Sequence, residues 1–306
     1  MLIFLIKGKL QIAMFLLLIS YYDKTKESIN DIMEFDVSIM EEAVSLYRIN
    51  QIISYGTKSL KLDGVIHNDD IFGLVEFNNV SFKYNKVPIL KNVSFVVKPN
   101  ELTAIVGKTG SGKTTIFNLL LRMYRVGKGQ ILIDKLDIYD YSKDVFNSNI
   151  SIVNQKTFIF NMSIRANLSL IDSNKKRQID ACKRVGIHDF IMSLPDGYST
   201  ILKDDATNMS GGQKQLLSLA RALLTSSEII LLDEVTSSLD PRTTDKIIKL
   251  LDDLKTDHTI IIITHNKDLM RKADKLIVLN NGKVECIGKN DDLIKTNNFY
   301  KQLVIK

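Results

Sequence analysis

The sequence predicts an α/β domain, entered through a small β-rich segment and preceded by a long helix, and three observations carry that prediction. Two continuous apolar runs, Ile229 to Leu232 and Thr259 to Thr264, read as parallel strands buried on both faces. A third, Leu102 to Val106, passes through a glycine-rich loop into the helical run Thr115 to Met123. Upstream, Ile29, Ile32, Met33, Met40, Ala43, Val44 and Tyr47 fall near helical spacing, with Glu27, Asp31, Glu34, Glu41 and Glu42 between them.

Taken in order, Met1 to Tyr22 is strongly apolar, broken only by Lys7-Gly8-Lys9 and Gln11. Its run from Leu10 to Ser20 falls short of the about 20 apolar residues that span a bilayer. Three readings compete. A signal peptide would carry its basic residues first and end on small residues, whereas Lys7 and Lys9 follow six apolar residues and Ser20-Tyr21-Tyr22 is a poor cleavage site. A buried soluble helix would need a partner to cover it. The third is the end of one membrane helix over Met1 to Ile6, a polar turn, and a second helix from Leu10 inward. The amphipathic stretch that follows is expected as a helical extension over 26–57. Gly, Asp, Asn and Lys gather between Lys58 and Asp70 and predict a linker over 58–72. Short strand-like runs at Leu74 to Phe77 and Val93 to Val97 then lead into the α/β core from residue 73 to 306.

Composition narrows the class. The 306 residues are 45% hydrophobic with few Gly and Pro, which excludes collagen and disorder. Cys182 and Cys286 are the only cysteines, so a disulfide scaffold is excluded and buried thiols in a reducing compartment are expected. A net charge of +6 is dilute over this length, and fits an anionic membrane face as well as nucleic acid.

The chemistry begins at Gly107-Lys108-Thr109-Gly110-Ser111-Gly112-Lys113-Thr114, a full match to G-x-x-x-x-G-K-[ST] between a strand and a helix. The glycines let backbone N–H groups converge on phosphate oxygens at a helix N-terminus, where the dipole also favours the anion. Lys113 can reach the β and γ phosphates, and the Thr114 hydroxyl can ligate Mg²⁺. A carboxylate to complete the metal shell stands at the end of a buried strand, Asp233. Glu234, one residue further, is placed to polarise an attacking water. His265 closes the second buried run, where the ligand crevice of an open α/β sheet lies; a γ-phosphate contact and a satisfied core histidine are both open readings. His67, His188 and His258 have no comparable setting and are expected at the surface or in packing.

Met209-Ser210-Gly211-Gly212-Gln213 closely resembles the L-S-G-G-Q element of ATP-binding cassette (ABC) proteins, with Met in place of Leu. The resemblance implies a P-loop NTPase core of the ABC ATPase type, with a small antiparallel β subdomain and a helical subdomain over about 156–225. It implies that Ser210, Gly211, Gly212 and Gln213 cap the ATP held by the phosphate loop (Gly107 to Thr115) of a second copy, in a head-to-tail homo- or heterodimer. Tyr84 resembles the aromatic that stacks on adenine, with a core strand aromatic as the other reading. Gln155 resembles the glutamine that contacts Mg²⁺ or the attacking water. Ser237-Ser238-Leu239-Asp240 resembles the loop that touches the opposite subunit, and His265 the switch histidine.

Phe160 to Leu168 and Leu194 to Thr200 look like the helical subdomain of exporters whose membrane and ATPase parts share one chain. Tyr47-Arg48-Ile49 resembles the junction after their last membrane helix, and Lys7 to Leu10 the turn before it. The resemblance therefore implies an ATPase at the cytoplasmic side of the plasma membrane, partnered by transmembrane domains and using ATP and Mg²⁺, with no nucleic acid. Residues 1–25 are expected as a remnant of a membrane domain, too little to form a translocation path. Between Thr200 and Ser210, Ile201 to Asn208 lacks the Gly-Glu-rich loop of most exporters, which puts coupling in question and leaves ATP chemistry intact. The alternatives are a soluble ABC ATPase and a regulatory or vestigial nucleotide-binding module; Glu234 and His265 argue against the last.

Overall fold

The computed structural model describes residues 12–59, 64–67, 71–203, 206 and 208–305. The chain divides into two compact units, Met1–Leu62 and Asp63–Lys306.

Among the described residues the first unit is one helix, α1 (Ile12–Ser59), of 48 residues. Its sequence has no proline, and Gly56 lies near its end, so nothing interrupts the backbone ladder of the expected long helix. Among the described residues no helix is long and apolar enough to cross a membrane; Asp23, Lys24, Lys26 and Glu27 interrupt the apolar start of α1. Met14, Leu16, Leu17, Ile32, Met33, Met40, Leu46 and Ile52 are all exposed, so the apolar stripe has no cover among the described residues of this unit. The expected turn at Lys7 to Lys9 and the helix end at Met1 to Ile6 lie outside the described residues.

The second unit holds two sheets. Strands β1 (Val75–Tyr84), β2 (Val87–Val97), β4 (Lys128–Ile133) and β5 (Leu136–Asp137) form an antiparallel sheet in the order β2-β1-β4-β5. The other sheet uses β3 (Leu102–Gly107), β6 (Ile150–Val153), β7 (Ile229–Asp233), β8 (Thr259–Ile263), β9 (Lys275–Asn280) and β10 (Lys283–Gly288). Its order is β10-β9-β3-β8-β7-β6, parallel except at the β10 edge. The continuous apolar runs have their expected cause. Leu102, Ala104, Val106, Ile230, Leu232, Ile260 and Ile262 enter one core, while Ile105, Ile229, Leu231, Ile261 and Ile263 enter the core on the other face.

Helices cover these faces: α2 (Lys113–Leu120), α3 (Lys143–Asn149), α8 (Pro241–Leu254), α9 (Lys267–Lys272), α10 (Asn290–Thr296) and α11 (Asn298–Ile305). Between β6 and β7 lie the short helices α4 (Ile164–Ser169), α5 (Lys175–Val185) and α6 (His188–Ser193), and the longer α7 (Gly211–Leu224). Helices this short need tertiary support, and two buried amides supply it. Asn167 accepts from the Phe160 N–H and donates to the Phe160 carbonyl, both at 3.0 Å. Gln178 donates to Ser169 Oγ at 2.9 Å and accepts from Arg165 at 3.2 Å, tying α5 to α4.

The described part of the expected linker is stitched into this unit. Gly64 and Ile66 donate their N–H groups to the Tyr141 and Asp140 carbonyls, at 3.2 and 3.0 Å, and Ile66 forms a parallel bridge with Tyr141. The Asp134 carboxylate accepts from the N–H groups of Phe72 and Leu74 at 2.7 and 2.9 Å. Composition rich in Gly, Asp and Asn marked these residues as a linker; the same residues also suit tight docking on backbone.

A two-residue turn, Asn281 (φ 48°) and Gly282 (φ 77°), closes the β9–β10 hairpin. The Gly282 carbonyl accepts from the Lys91 N–H at 2.8 Å, and a Cβ there would lie 2.0 Å from the Ile89 oxygen. Gly282→Ala is expected to destabilise the second unit by about 2 kcal/mol, a Tm fall of ~4–8 °C in thermal denaturation. The exposed neighbour substitution Lys283→Ala should stay within about 0.5 kcal/mol of the parent.

Candidate nucleotide site

Parallel pairing brings the chemistry to one edge of the sheet. Ile263 of β8 pairs with Ile105 of β3 on one side and with Asp233 of β7 on the other, and Leu232 pairs with Val153 of β6. Gly107, Asp233-Glu234, Thr264-His265 and Asn154-Gln155 therefore all leave the carboxyl ends of adjacent strands, where open α/β sheets hold ligands.

The phosphate loop turns from β3 into α2. Gly112 sits at φ 104° as the N-cap, with Leu90 Cδ2 2.6 Å from where a Cβ would be, so a side chain fits neither backbone nor space. Lys113 is only 7% exposed, and its ammonium donates to the carbonyls of Gly107 at 2.9 Å and Lys108 at 3.2 Å. Burial pushes the Lys113 pKa down, against the carboxylates of Glu234 and Asp233. The Lys108 carbonyl also accepts from the Ser111 N–H at 3.1 Å, making it the loop's hub. The Ser111 hydroxyl is buried and, among the described residues, has no hydrogen-bond partner. Gly110 faces open space, Thr114 is exposed and Thr115 is buried. A cavity of about 310 Å³ flanks the loop, lined by Gly107, Lys108, Thr109 and His265, with Phe299, Gln302 and Leu303 of α11 opposite.

The carboxylates stand across from Lys113. Burial raises the Asp233 pKa, the charge of Glu234 raises it further, and Lys113 opposes both. Glu234 adopts φ 50°, in the left-handed region, and its N–H donates to the Ile263 carbonyl at 2.9 Å. That conformation costs of order 1–3 kcal/mol for a residue with a Cβ. It turns the side chain between two partners: Gln155 Nε2 donates to one carboxylate oxygen at 2.7 Å, and His265 Nε2 lies 3.4 Å from the other.

Two of the predicted elements sit apart from this cluster. Tyr84, at the end of β1, packs edge-on to Phe82 and Tyr124, and its hydroxyl accepts from Asn118 of α2 at 3.3 Å. Asn118 and Tyr124 were not anticipated, and no motif marks them. Ser210 and Gln213 form a capping box at the start of α7, with Ser210 Oγ accepting from the Gln213 N–H at 3.2 Å and Gln213 Oε1 accepting from the Ser210 N–H at 2.8 Å. Gly212 lets the Ser238-Leu239 loop approach closely, since a Cβ there would lie 2.9 Å from the Ser238 oxygen. Asp240 ends that loop by capping α8, accepting from the Thr243 N–H at 3.1 Å. Of the remaining histidines, His188 meets the Tyr198 hydroxyl at 3.0 Å and His258 the Ser227 carbonyl at 2.9 Å, as packing residues do. Of the unusual stretch before Ser210, Leu202 is fully buried, and Asp204, Asp205 and Thr207 lie outside the described residues.

A strand, a glycine loop and a helix around a buried lysine, facing an Asp-Glu pair at the end of β7 with β8 between, define a P-loop ATPase. The family model described as ABC transporter matches residues 90–237. An ATP-binding/permease protein of Bacillus subtilis named for multidrug export, YgaD, is 34% identical over 98% of this chain. An ATP-dependent lipid A-core flippase of Syntrophus aciditrophicus is 34% identical over 94% of it. The structure of a bacterial Atm1-family ABC exporter with ATP bound superposes with a TM-score of 0.74 and 33% identity, over 79% of this chain and 42% of that one. The chain carries the ATP-binding domain of the ABC transporter family, matched over residues 90–237 of its second unit. It spans about half the length of the curated relatives it matches, 52% and 47% of these two.

The orphaned Ser111 hydroxyl suits a phosphate oxygen as its partner. Leaving a buried hydroxyl unpaired costs about 1–3 kcal/mol, and a charge-assisted bond to an anion recovers it. Ser111→Ala is thus expected to raise the thermal midpoint of the nucleotide-free protein and to weaken ATP binding about tenfold, read by calorimetric titration. A loss of stability together with unchanged ATP affinity would remove the assignment.

Proposed function

We propose that this chain is the ATP-hydrolysing part of an exporter, in which the residues gathered at the sheet edge turn over ATP to drive transport. The observation that carries the reading is the Glu234 carboxylate held between Gln155 and His265, beside the buried Lys113. On this reading Lys113 releases its carbonyl partners to the β and γ phosphates, and the Gly110 to Gly112 amides and Ser111 hydroxyl complete the cradle. Glu234 accepts the proton of the attacking water, Gln155 orients that water, and His265 donates to the γ-phosphate. Tyr84 stacks on the adenine.

Thr114, Asp233 and Gln155 would hold Mg²⁺. Among the described residues no three His, Cys, Asp or Glu form a metal cage, and Mg²⁺ bound through one carboxylate and substrate phosphates requires none. The exposed hydroxyl of Thr114 and the buried carboxylate of Asp233, whose charged form lacks solvation, suit such a cation. When bound, the ion neutralises charge on the transferring phosphoryl group.

The exposed start of α7 at Ser210 to Gln213 is a second anion-binding helix terminus turned to its own capping box. This supports a head-to-tail pairing in which it meets the ATP of a second cassette, from an identical or a related chain. The uncovered apolar side chains of α1 and the permease parts of the relatives support transmembrane partners, with the ATPase on the cytoplasmic side of the plasma membrane. The exported compound is not assigned; multidrug and lipid A-core are the names of the relatives.

Glu234→Gln is expected to lower steady-state ATP turnover by at least about 100-fold while ATP binding survives. Turnover equal to the parent's would overturn the assignment of Glu234. Asp233→Asn should bind ATP with an affinity that no longer responds to added Mg²⁺, measured by titration with and without a chelator.

A further inference from the structure

One wall of the phosphate-loop cavity comes from the far end of the chain. Phe299 of α11 places its ring under the Lys108 ammonium, 5.4 Å from Nζ to the ring centroid, within the range of a cation–π contact. Lys108 is the residue whose carbonyl accepts both the Ser111 N–H and the Lys113 ammonium. Its side chain is exposed, so without a partner it would leave that hub free to move.

α11 is itself immobilised by the next residue. Tyr300 is fully buried in the larger core, its hydroxyl donates to Asn290 Oδ1 at 2.8 Å and its N–H to Asn297 Oδ1 at 2.8 Å. An anchor in the core and a ring on the loop, one residue apart, make a brace. We propose that Phe299 is a positioning residue: by holding Lys108, it holds the phosphate loop in the geometry that ATP meets. This rests on the nucleotide reading above, and adds to it a residue that touches neither phosphate nor metal.

The contact predicts effects the size of one exposed cation–π pair. Phe299→Leu keeps the apolar packing and removes the ring; ATP binding to the full chain, read by calorimetric titration, should weaken about two- to fivefold. Phe299→Tyr should restore parental affinity. In a Lys108→Met background, Phe299→Leu should have no further effect, because the partner is already gone. In the nucleotide-free protein, amide hydrogen exchange over residues 109–113 should quicken in Phe299→Leu and stay at the parental rate in Phe299→Tyr.

Parental affinity in Phe299→Leu, or an equal loss in the Lys108→Met background, would overturn the brace, as would unchanged exchange in the loop. A parent that fails to bind ATP would overturn the nucleotide reading instead, and the exchange comparison would still decide the brace.

Discussion

The parallel register of β3, β8 and β7 governs the site, because three strands with no sequence contact between them must end at the same height. Ile263 pairs with both Ile105 and Asp233, so the turn into the phosphate loop and the departure of the acidic pair are set by one row of the sheet. A slip of one residue would exchange the two faces of a strand. Here both faces are buried in apolar cores, so alternation of polarity cannot fix the register. It is fixed instead by shape and by the strand ends: Glu234 donates to the Ile263 carbonyl, Asp274 accepts from the Leu102 N–H at 3.0 Å, and Thr259 donates to the Glu228 carbonyl at 2.8 Å.

Above that edge the nucleotide-free domain holds charges at an energetic disadvantage. Lys113 is buried against carbonyls that only partly replace water, and Asp233 is buried beside Glu234. Ser111 has a hydroxyl with nothing to bond among the described residues, and Glu234 occupies a backbone region that disfavours a side chain. The first three features are unfavourable without a ligand and of the kind that an anion with a cation relieves, while the backbone of Glu234 stores strain that aims its side chain. Their shared location is a stronger sign of a ligand site than any one of them, since strain and orphaned groups persist only where the surrounding fold enforces them. The fold can do so because β7 and β8 are almost wholly inaccessible to solvent.

Much of this was legible in the sequence, for a physical reason. Phosphate recognition uses backbone amides of one short loop, so Gly107 to Thr114 must appear as a contiguous string. Asp233, Glu234 and His265 end apolar runs that a doubly covered strand requires. What stayed hidden depends on contacts across the chain. Phe299 reads as an ordinary apolar residue of a terminal helix, and only the fold puts it beside Lys108. Asn118 gains its role from Tyr84, and Asp134 from the backbone of Phe72 and Leu74. The docking of residues 64–67 was hidden because composition reports the absence of a core-facing pattern, and backbone hydrogen bonds to Asp140 and Tyr141 need none. The long helix α1 was legible because a change from apolar to amphipathic at Tyr22 alters what a helix faces without breaking its ladder.

The helix α1 obeys a different economy from the ATP-binding domain. A helix draws most of its stability from burying an apolar face, and one that is apolar on several sides belongs inside a larger assembly or against lipid. Met14, Leu16 and Leu17 are exposed at one end and Leu46, Ile49 and Ile52 at the other, with Asp23 to Glu27 between the first group and the rest. A single lipid slab cannot satisfy both groups, since the charged stretch would have to enter it. The two groups therefore call for separate covers, one on each side of the charged stretch.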